Sequence, residues 1–437
     1  MGELHLSICH RYQPAGATTV LRRGRFGVTK QEEASGAALD LESPTSRTQL
    51  ALFLSLAVFT TGQSFLLVVL PPLGRRLGFS DIHIGGILSL SALLMMVSAP
   101  AWGYLSERIG RRPVLLTALV GAALGSIGFG IIIYFRLSGA LGVFLALMLI
   151  ALVRAAQTLV SSGILPAAQA YMADITAAAQ RASGMDTLGA AIGVGAIAGA
   201  ALAWRVAGAN PVLAFVIIAM LAVGALLSIL WLAKEPVRTT STTISDASLP
   251  LGRIWPFLAI TLASISAYSI LQQVTALRLQ DSLGFTVEES ISRGGAALMA
   301  TALAMIVVQA FAVRVFRWKA ARLLGVGAVT AVIAMLICTL VTTYSAIFAT
   351  LILLGVGLGL MLTGNLASLS LRAGRGAQGK VAGVNVLAQG LGQAIGPIAG
   401  AGLHRVSPQV PFLAATSLLA IACLVAALAW RVAAANP

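Results

Sequence analysis

Arg154 stands in an apolar run, Leu152-Val153-Arg154-Ala155-Ala156-Gln157. On membrane-insertion scales a cation in hydrocarbon costs at least about 2.5–3.5 kcal/mol, so such a residue faces a bundle interior or a wet cavity. It lies roughly 14 residues into its run, about 20 Å at the helical rise, too deep for its side chain to snorkel to the interface. Asp186 is the nearest acid within an apolar run. A carboxyl there titrates if it is desolvated; equally, it can serve as a helix-start charge favoured by the dipole. The chain offers little for bond-making chemistry. His5, His10, His83 and His404 fall in the N-terminal tail or in loops, and Cys9, Cys338 and Cys423 lack metal-ligand spacing. No phosphate-cradling glycine loop of the P-loop type occurs, so ATP-driven work is unsupported. These residues predict no enzyme, no metal and no bound cofactor. They predict the handling of charge and polarity inside apolar surroundings.

The composition identifies those surroundings. Of the residues, 58% are hydrophobic and 10% are charged, whereas a soluble domain is about 25% charged. Soluble enzyme, nucleic-acid binder and disordered scaffold are excluded, and an all-α integral membrane protein is expected. The net charge of +15 does not imply nucleic acid, because the 29 Lys and Arg are scattered through short gaps between apolar runs. Twelve runs are long enough to span a bilayer: near 49–72, 82–103, 113–134, 140–165, 184–204 and 212–233, then 254–278, 293–314, 322–342, 346–370, 381–403 and 410–432. The expected organisation is a disordered cytoplasmic tail (1–47), a six-helix bundle (48–233), a cytoplasmic linker (234–253), a second six-helix bundle (254–432) and a short C-terminal tail (433–437). The linker is rich in Thr and Ser, from Thr239 to Ser245.

With both termini in the cytoplasm, the cytoplasmic loops and C-terminus carry fifteen Lys and Arg against seven outside, not counting the tail. Arg75 and Arg76 are local exceptions on the outer side. The two halves carry a faint internal repeat. At an offset of 199, Gly184-Met185-Asp186-Thr187-Leu188 aligns with Gly383-Val384-Asn385-Val386-Leu387, and Gly193 aligns with Gly392. Spans five and eleven are thus expected to be equivalent, as in transporters built from parallel repeats.

Between spans two and three the chain reads Gly103-Tyr104-Leu105-Ser106-Glu107-Arg108-Ile109-Gly110-Arg111-Arg112-Pro113. This resembles motif A of the major facilitator superfamily, in the loop where that family carries it, and the resemblance covers the twelve-span body. It implies two pseudo-symmetric six-helix halves and transport by alternating access. Gly103 would let span two approach a neighbouring backbone closely. Glu107 would face the positive N-terminal end of span eleven. Arg111 would pair with an acid at the cytoplasmic end of span four, for which Asp174 is the only candidate. Gly103, Glu107, Arg108, Gly110, Arg111, Arg112 and Asp174 would then form a latch closing the cytoplasmic side in the outward-facing state. The second-half counterpart, Arg314 to Arg322, has the cations and no acid.

The stretch around Arg154 and Gln157 resembles motif B of the family's drug–proton antiporters, with Thr158 where Gly is usual. The resemblance implies proton coupling or substrate contact at Arg154 and Gln157, and Asp186 joins them as a candidate by its position alone. Span eleven, with Gly392, Gly396, Pro397 and Gly400, looks like the antiporter motif C, which that family places on span five. Here span five has Gly193 but no Gly-Pro, so the expected role is close helix packing and bending. Span one lacks the acid that many such antiporters carry. The cavity-facing helices of the family would present Gln63, Ser64, Ser161, Gln272, Gln273, Gln309, Asn365, Asn385, Gln389 and Gln393. Their number across both halves predicts a central wet cavity suited to a neutral, amphipathic or zwitterionic solute.

The resulting expectation is a functional monomer in the lipid bilayer of a bacterial cytoplasmic membrane. It would export a small organic molecule, either a drug or a self-made metabolite such as a siderophore, with a proton gradient as its energy source. The alternative is an importer or facilitator of a small nutrient. A sensor or membrane enzyme would need a catalytic cluster or binding without transport.

Overall fold

The computed structural model describes residues 44–176, 180–236, 250–316, 318–373 and 377–435. The expected tail up to residue 43, the Thr/Ser-rich linker 237–249 and residues 436–437 lie outside them, as does the side chain of Arg314. All regular structure among the described residues is helical. The first half comprises α1 (Pro44–Arg76), α2 (Asp81–Ile109), α3 (Arg111–Leu137), α4 (Val143–Ser161), α5 (Ile164–Ile175), α6 (Arg181–Leu202) and α7 (Pro211–Leu232). The second comprises α8 (Leu251–Leu283), α9 (Val287–Phe316), α10 (Ala320–Leu340), α11 (Tyr344–Ala373), α12 (Gln378–His404) and α13 (Val410–Ala435). A short π-helical turn, Ala203–Ala207, continues α6.

These helices form twelve spans, because α4 and α5 run on as one, Val143–Ile175. Eleven described spans are long and apolar enough to cross a membrane. The twelfth, α12, is diluted by Gln and Gly yet packs between α2 and α8. Several sequence boundaries need correction: α2 runs six residues past its expected end, α8 five residues past its own, and α9 starts six residues early. Helix α1 starts at Pro44, inside the expected tail, and α13 runs to Ala435. Span four runs ten residues past its expected end and breaks at Ser162-Gly163. The break has local causes. Pro166 has no N–H to donate to the Ser162 carbonyl. Gly163 lies where any Cβ would press on Val114 and Trp102.

Because the spans alternate in direction, α1 ends and α2 begins at what we term the Arg75 end. Helices α2 and α3 meet at the Arg111 end, where residues 44 and 435 also lie. Within each half, small residues bring helices together. Gly195 and Gly199 of α6 abut the α1 backbone near Ala57 and Thr61, and Ser64 Oγ donates to the Ala196 carbonyl at 2.9 Å. Gly392, Gly396 and Gly400 of α12 likewise seat against α8 at Ile265, Ser269 and Val274. Gly193 instead faces Ile306 across the divide, as Gly390 faces Met96. The repeat is therefore present at a corrected offset of 197, which pairs Gly193 with Gly390, Gly195 with Gly392 and Gly199 with Gly396. The 199 alignment matched residue types between two Gly-rich helices rather than the faces they present.

Candidate functional site

The two halves touch along the Arg75 end and part toward the Arg111 end. Gly85 of α2 lies under the Pro397 carbonyl and Ala401 of α12, leaving no room for a Cβ. The Ile398 amide, next to Pro397, donates to Ser89 Oγ at 3.0 Å. Ser292 Oγ donates to the Trp204 carbonyl at 2.8 Å, and Gly295 rests on the same turn. Further toward the Arg111 end, Gly189, Gly379 and Gly383 face open space.

Ion pairs tie the closed end. Arg75 lays its guanidinium on Asp81, Nε to Oδ1 at 2.7 Å and Nη2 to Oδ2 at 2.6 Å. It also reaches across to Asp281 of α8, with Nη1 2.7 Å from Oδ1 and Nη2 2.9 Å from Oδ2. His404 Nε2 lies 2.7 Å from the same carboxylate, and Arg76 Nη1 lies 2.7 Å from Glu288 Oε1. His404, expected in a loop, is the last residue of α12 and is buried. Two-pronged Arg–carboxylate pairs are geometrically specific. Sequence reasoning missed this network, although two arginines breaking the positive-inside pattern were a visible signal.

Arg154 occupies the deep part of the cleft. It is 5% exposed. Its Nε donates to Ser91 Oγ at 3.1 Å, Nη1 to Gln157 Oε1 at 3.1 Å and Nη2 to Gln63 Oε1 at 2.6 Å. Gln157 is held in turn by the Ala122 carbonyl, and its side chain fits because position 125 is Gly. On one side of Arg154 is a cavity of about 240 Å³. Leu56, Phe59, Leu67, Leu88, Met95 and Ile192 wall it, and polar groups come from Thr60, Gln63, Ser91, Ser269, Gln389 and Gln393. Both halves contribute to it. On the other side is a narrow pocket inside the first half, lined by Gln157, Ser161, Ser126 and Phe215 among others.

The expected polar lining therefore divides. Gln63, Gln389 and Gln393 border the central cavity, and Gln157 and Ser161 border the inner pocket. Ser64 ties α1 to α6. Asn365 and Asn385 share Thr261 in a buried network, Asn365 Nδ2 to Thr261 Oγ1 at 2.8 Å and Thr261 Oγ1 to Asn385 Oδ1 at 2.8 Å. Gln272, Gln273 and Gln309 line neither space beside Arg154, and Gln273 is fully buried in α8. Ser91 and Ser269 do line the cavity and were not anticipated; a lone serine in a membrane span carries little signal. Asp186 is exposed on α6 and is not among the groups that line the cavity.

At the Arg111 end the stretch from Gly103 to Pro113, which is the last turns of α2, Gly110 and the start of α3, is bound within its own half. Arg111 Nε lies 3.3 Å from Asp174 Oδ2, and its Nη1 donates to Ser106 Oγ at 2.7 Å. Glu235 caps α3, accepting from the Arg111 amide at 2.7 Å and the Arg112 amide at 3.0 Å. Its carboxylate lies against Gly110, whose φ of 111° and missing Cβ make the turn possible. Arg112 Nη2 donates to the Leu230 carbonyl at the end of α7 at 2.8 Å. Arg108 bonds to the Tyr104 hydroxyl and covers its ring. One expectation needs correction here. A Cβ at Gly103 would meet Pro166 only at an ordinary 3.7 Å, so no tight backbone approach occurs there. Glu107 is exposed in this state, which is not the outward-facing state for which its latch contact is expected.

Comparison with known proteins gives consistent results. A family model described as Major Facilitator Superfamily matches residues 52–397 and 317–437. Multidrug resistance protein 1 of Bacillus subtilis (strain 168) is 25% identical over 388 residues, covering 87% of this chain and 95% of that protein. The class B tetracycline resistance protein of Escherichia coli is 31% identical over 207 residues, 47% of this chain and 48% of that one. Among solved structures, a bacterial homologue of the human lysosomal transporter Spinster, inward-facing and unoccupied, superposes with a TM-score of 0.71 at 16% identity. That alignment covers 89% of this chain and 98% of the other, a likeness of fold.

Proposed function

The chain belongs to the major facilitator superfamily, a transporter family of multi-pass membrane proteins, and on that premise we propose that it exports a small organic molecule by proton-coupled alternating access. The observation that carries this reading is Arg154 in a cavity shared by both halves, in a cleft sealed at one end and parted at the other. Positive-inside asymmetry supports a cytoplasmic Arg111 end. The described state then accepts solute from inside. The efflux direction is supported by the relatives, whose names are those of multidrug and tetracycline resistance proteins. The same likeness supports a bacterial cytoplasmic membrane as its location.

A specific feature favours the second reading, a facilitator: no carboxylate among the described residues lies beside Arg154 to take up a proton. Purified protein in liposomes with a trapped pH dye separates the two. A proton gradient is imposed, dyes, antibiotics and siderophores are added in turn, and Arg154→Ala is run in parallel. Antiport predicts proton movement that depends on one compound and falls roughly tenfold or more in the variant. Solute crossing down its own gradient with no proton movement would replace antiport by facilitation.

A further inference from the structure

The guanidinium of Arg154 has no ionic partner among the described residues. Its three acceptors, Ser91 Oγ, Gln157 Oε1 and Gln63 Oε1, are all neutral. A guanidinium carries five N–H donors, so two remain unassigned. The described acids all lie within two turns of a helix end, and none lines the cavity or the inner pocket. The central cavity therefore holds one desolvated cation and no acid, inside walls of Leu, Phe and Met side chains. Removal from water leaves such a charge uncompensated and strengthens its attraction for an opposite charge.

We propose that this cavity selects organic monoanions: solutes with one carboxylate, or a similar oxyanion, on an apolar body. The inference rests on the transporter reading above and names its substrate class. The oxyanion accepts the two free N–H groups of Arg154, for which the flat guanidinium fork is suited. The apolar body lies against Phe59, Leu67 and Met95, and Gln389 and Gln393 of α12 meet its neutral polar groups from the opposite half. A cationic solute would meet like charge with nothing to offset it. A dianion would bring a second charge for which the cavity has no partner.

Equilibrium binding to the full chain in lipid nanodiscs tests this without any gradient. Three probes of similar shape are compared at pH 7.5: 1-naphthylacetate, 1-naphthylacetamide and protonated 1-(2-aminoethyl)naphthalene. The proposal predicts that the carboxylate binds roughly tenfold or more tightly than the amide, and the ammonium least. Arg154→Gln should bring carboxylate and amide to similar affinity. Gln63→Glu supplies Arg154 with an internal partner and should abolish the carboxylate preference even where Arg154→Gln fails to fold. Equal or tighter binding of the amide or the ammonium in the wild type would overturn the proposal. So would a carboxylate preference that survives Gln63→Glu, or no carboxylate binding up to millimolar concentration. Anion binding without transport in liposomes would instead refute the transporter reading, and transport of cations with no anion preference would refute only the site.

Discussion

An arginine within an apolar bundle is tolerated where its N–H groups find acceptors, and three residues here do this differently. Arg278 donates to the Cys338 and Val341 carbonyls at the end of α10 and sits over the Phe412 ring, a structural cap. Arg75 spreads across two aspartates. Arg154, like Arg278, has neutral partners only, but of the three it alone lines the central cavity. The sequence revealed Arg154 because a lone cation in an apolar run is conspicuous. It concealed Glu235, whose role depends on α7 returning to the start of α3. Glu235→Ala should destabilise the protein by about 1 kcal/mol, the usual loss on removing a helix N-cap, in denaturant titrations in micelles. Glu107→Ala, which removes an exposed side chain, should leave those curves unchanged. Equal destabilisation by both would mean that Glu107 has a partner in this state.

At the scale of elements, helix positions were legible because a run of about 20 apolar residues has few alternatives to a span. The α4–α5 break was less legible: apolar residues continue through it, and its cause, Pro166, lies five residues beyond the last residue of α4. The repeat register failed for a related reason, since glycine identity does not tell which face of a helix is packed. Packing does tell. Gly396→Ala would drive a methyl group into Ser269 of α8 and should cost about 1–3 kcal/mol. Gly383→Ala, a few turns away on the same helix, opens onto free space and should be neutral or gain up to about 1 kcal/mol of helix propensity. The pair is read by thermal unfolding in micelles. Similar midpoints for both variants would contradict the packing of α12 on α8.

At the scale of the whole molecule, the closed Arg75 end rests on partly exposed ion pairs, with Asp281 at its centre holding Arg75 and His404. Partly exposed pairs contribute up to about 1 kcal/mol each, enough to bias an equilibrium between two states without locking it. Asp281→Asn should therefore raise the population open at the Arg75 end about fivefold, the equivalent of about 1 kcal/mol. A cysteine at Ser269, labelled from that side, reports it. The twelve-span frame and the Gly103–Pro113 motif could be read from sequence, though the motif lies on helix ends rather than in a loop. The conformational state could not, since it depends on contacts between residues such as Arg75 and Asp281 that are far apart in the chain.

The central claim is alternating access around the Arg154 cavity. Paired spin labels test it most directly, after Cys9, Cys338 and Cys423 are replaced. One pair, at Tyr104 of α2 and Gly379 of α12, spans the open Arg111 end. The other, at Ser80 and Arg405, spans the closed Arg75 end. Distances are measured in liposomes with and without substrate and across pH. The account predicts opposed changes: the first pair closes as the second opens, and Asp281→Asn moves both the same way that the outward state does. Distances at the two ends that rise and fall together, or that never change, would contradict it.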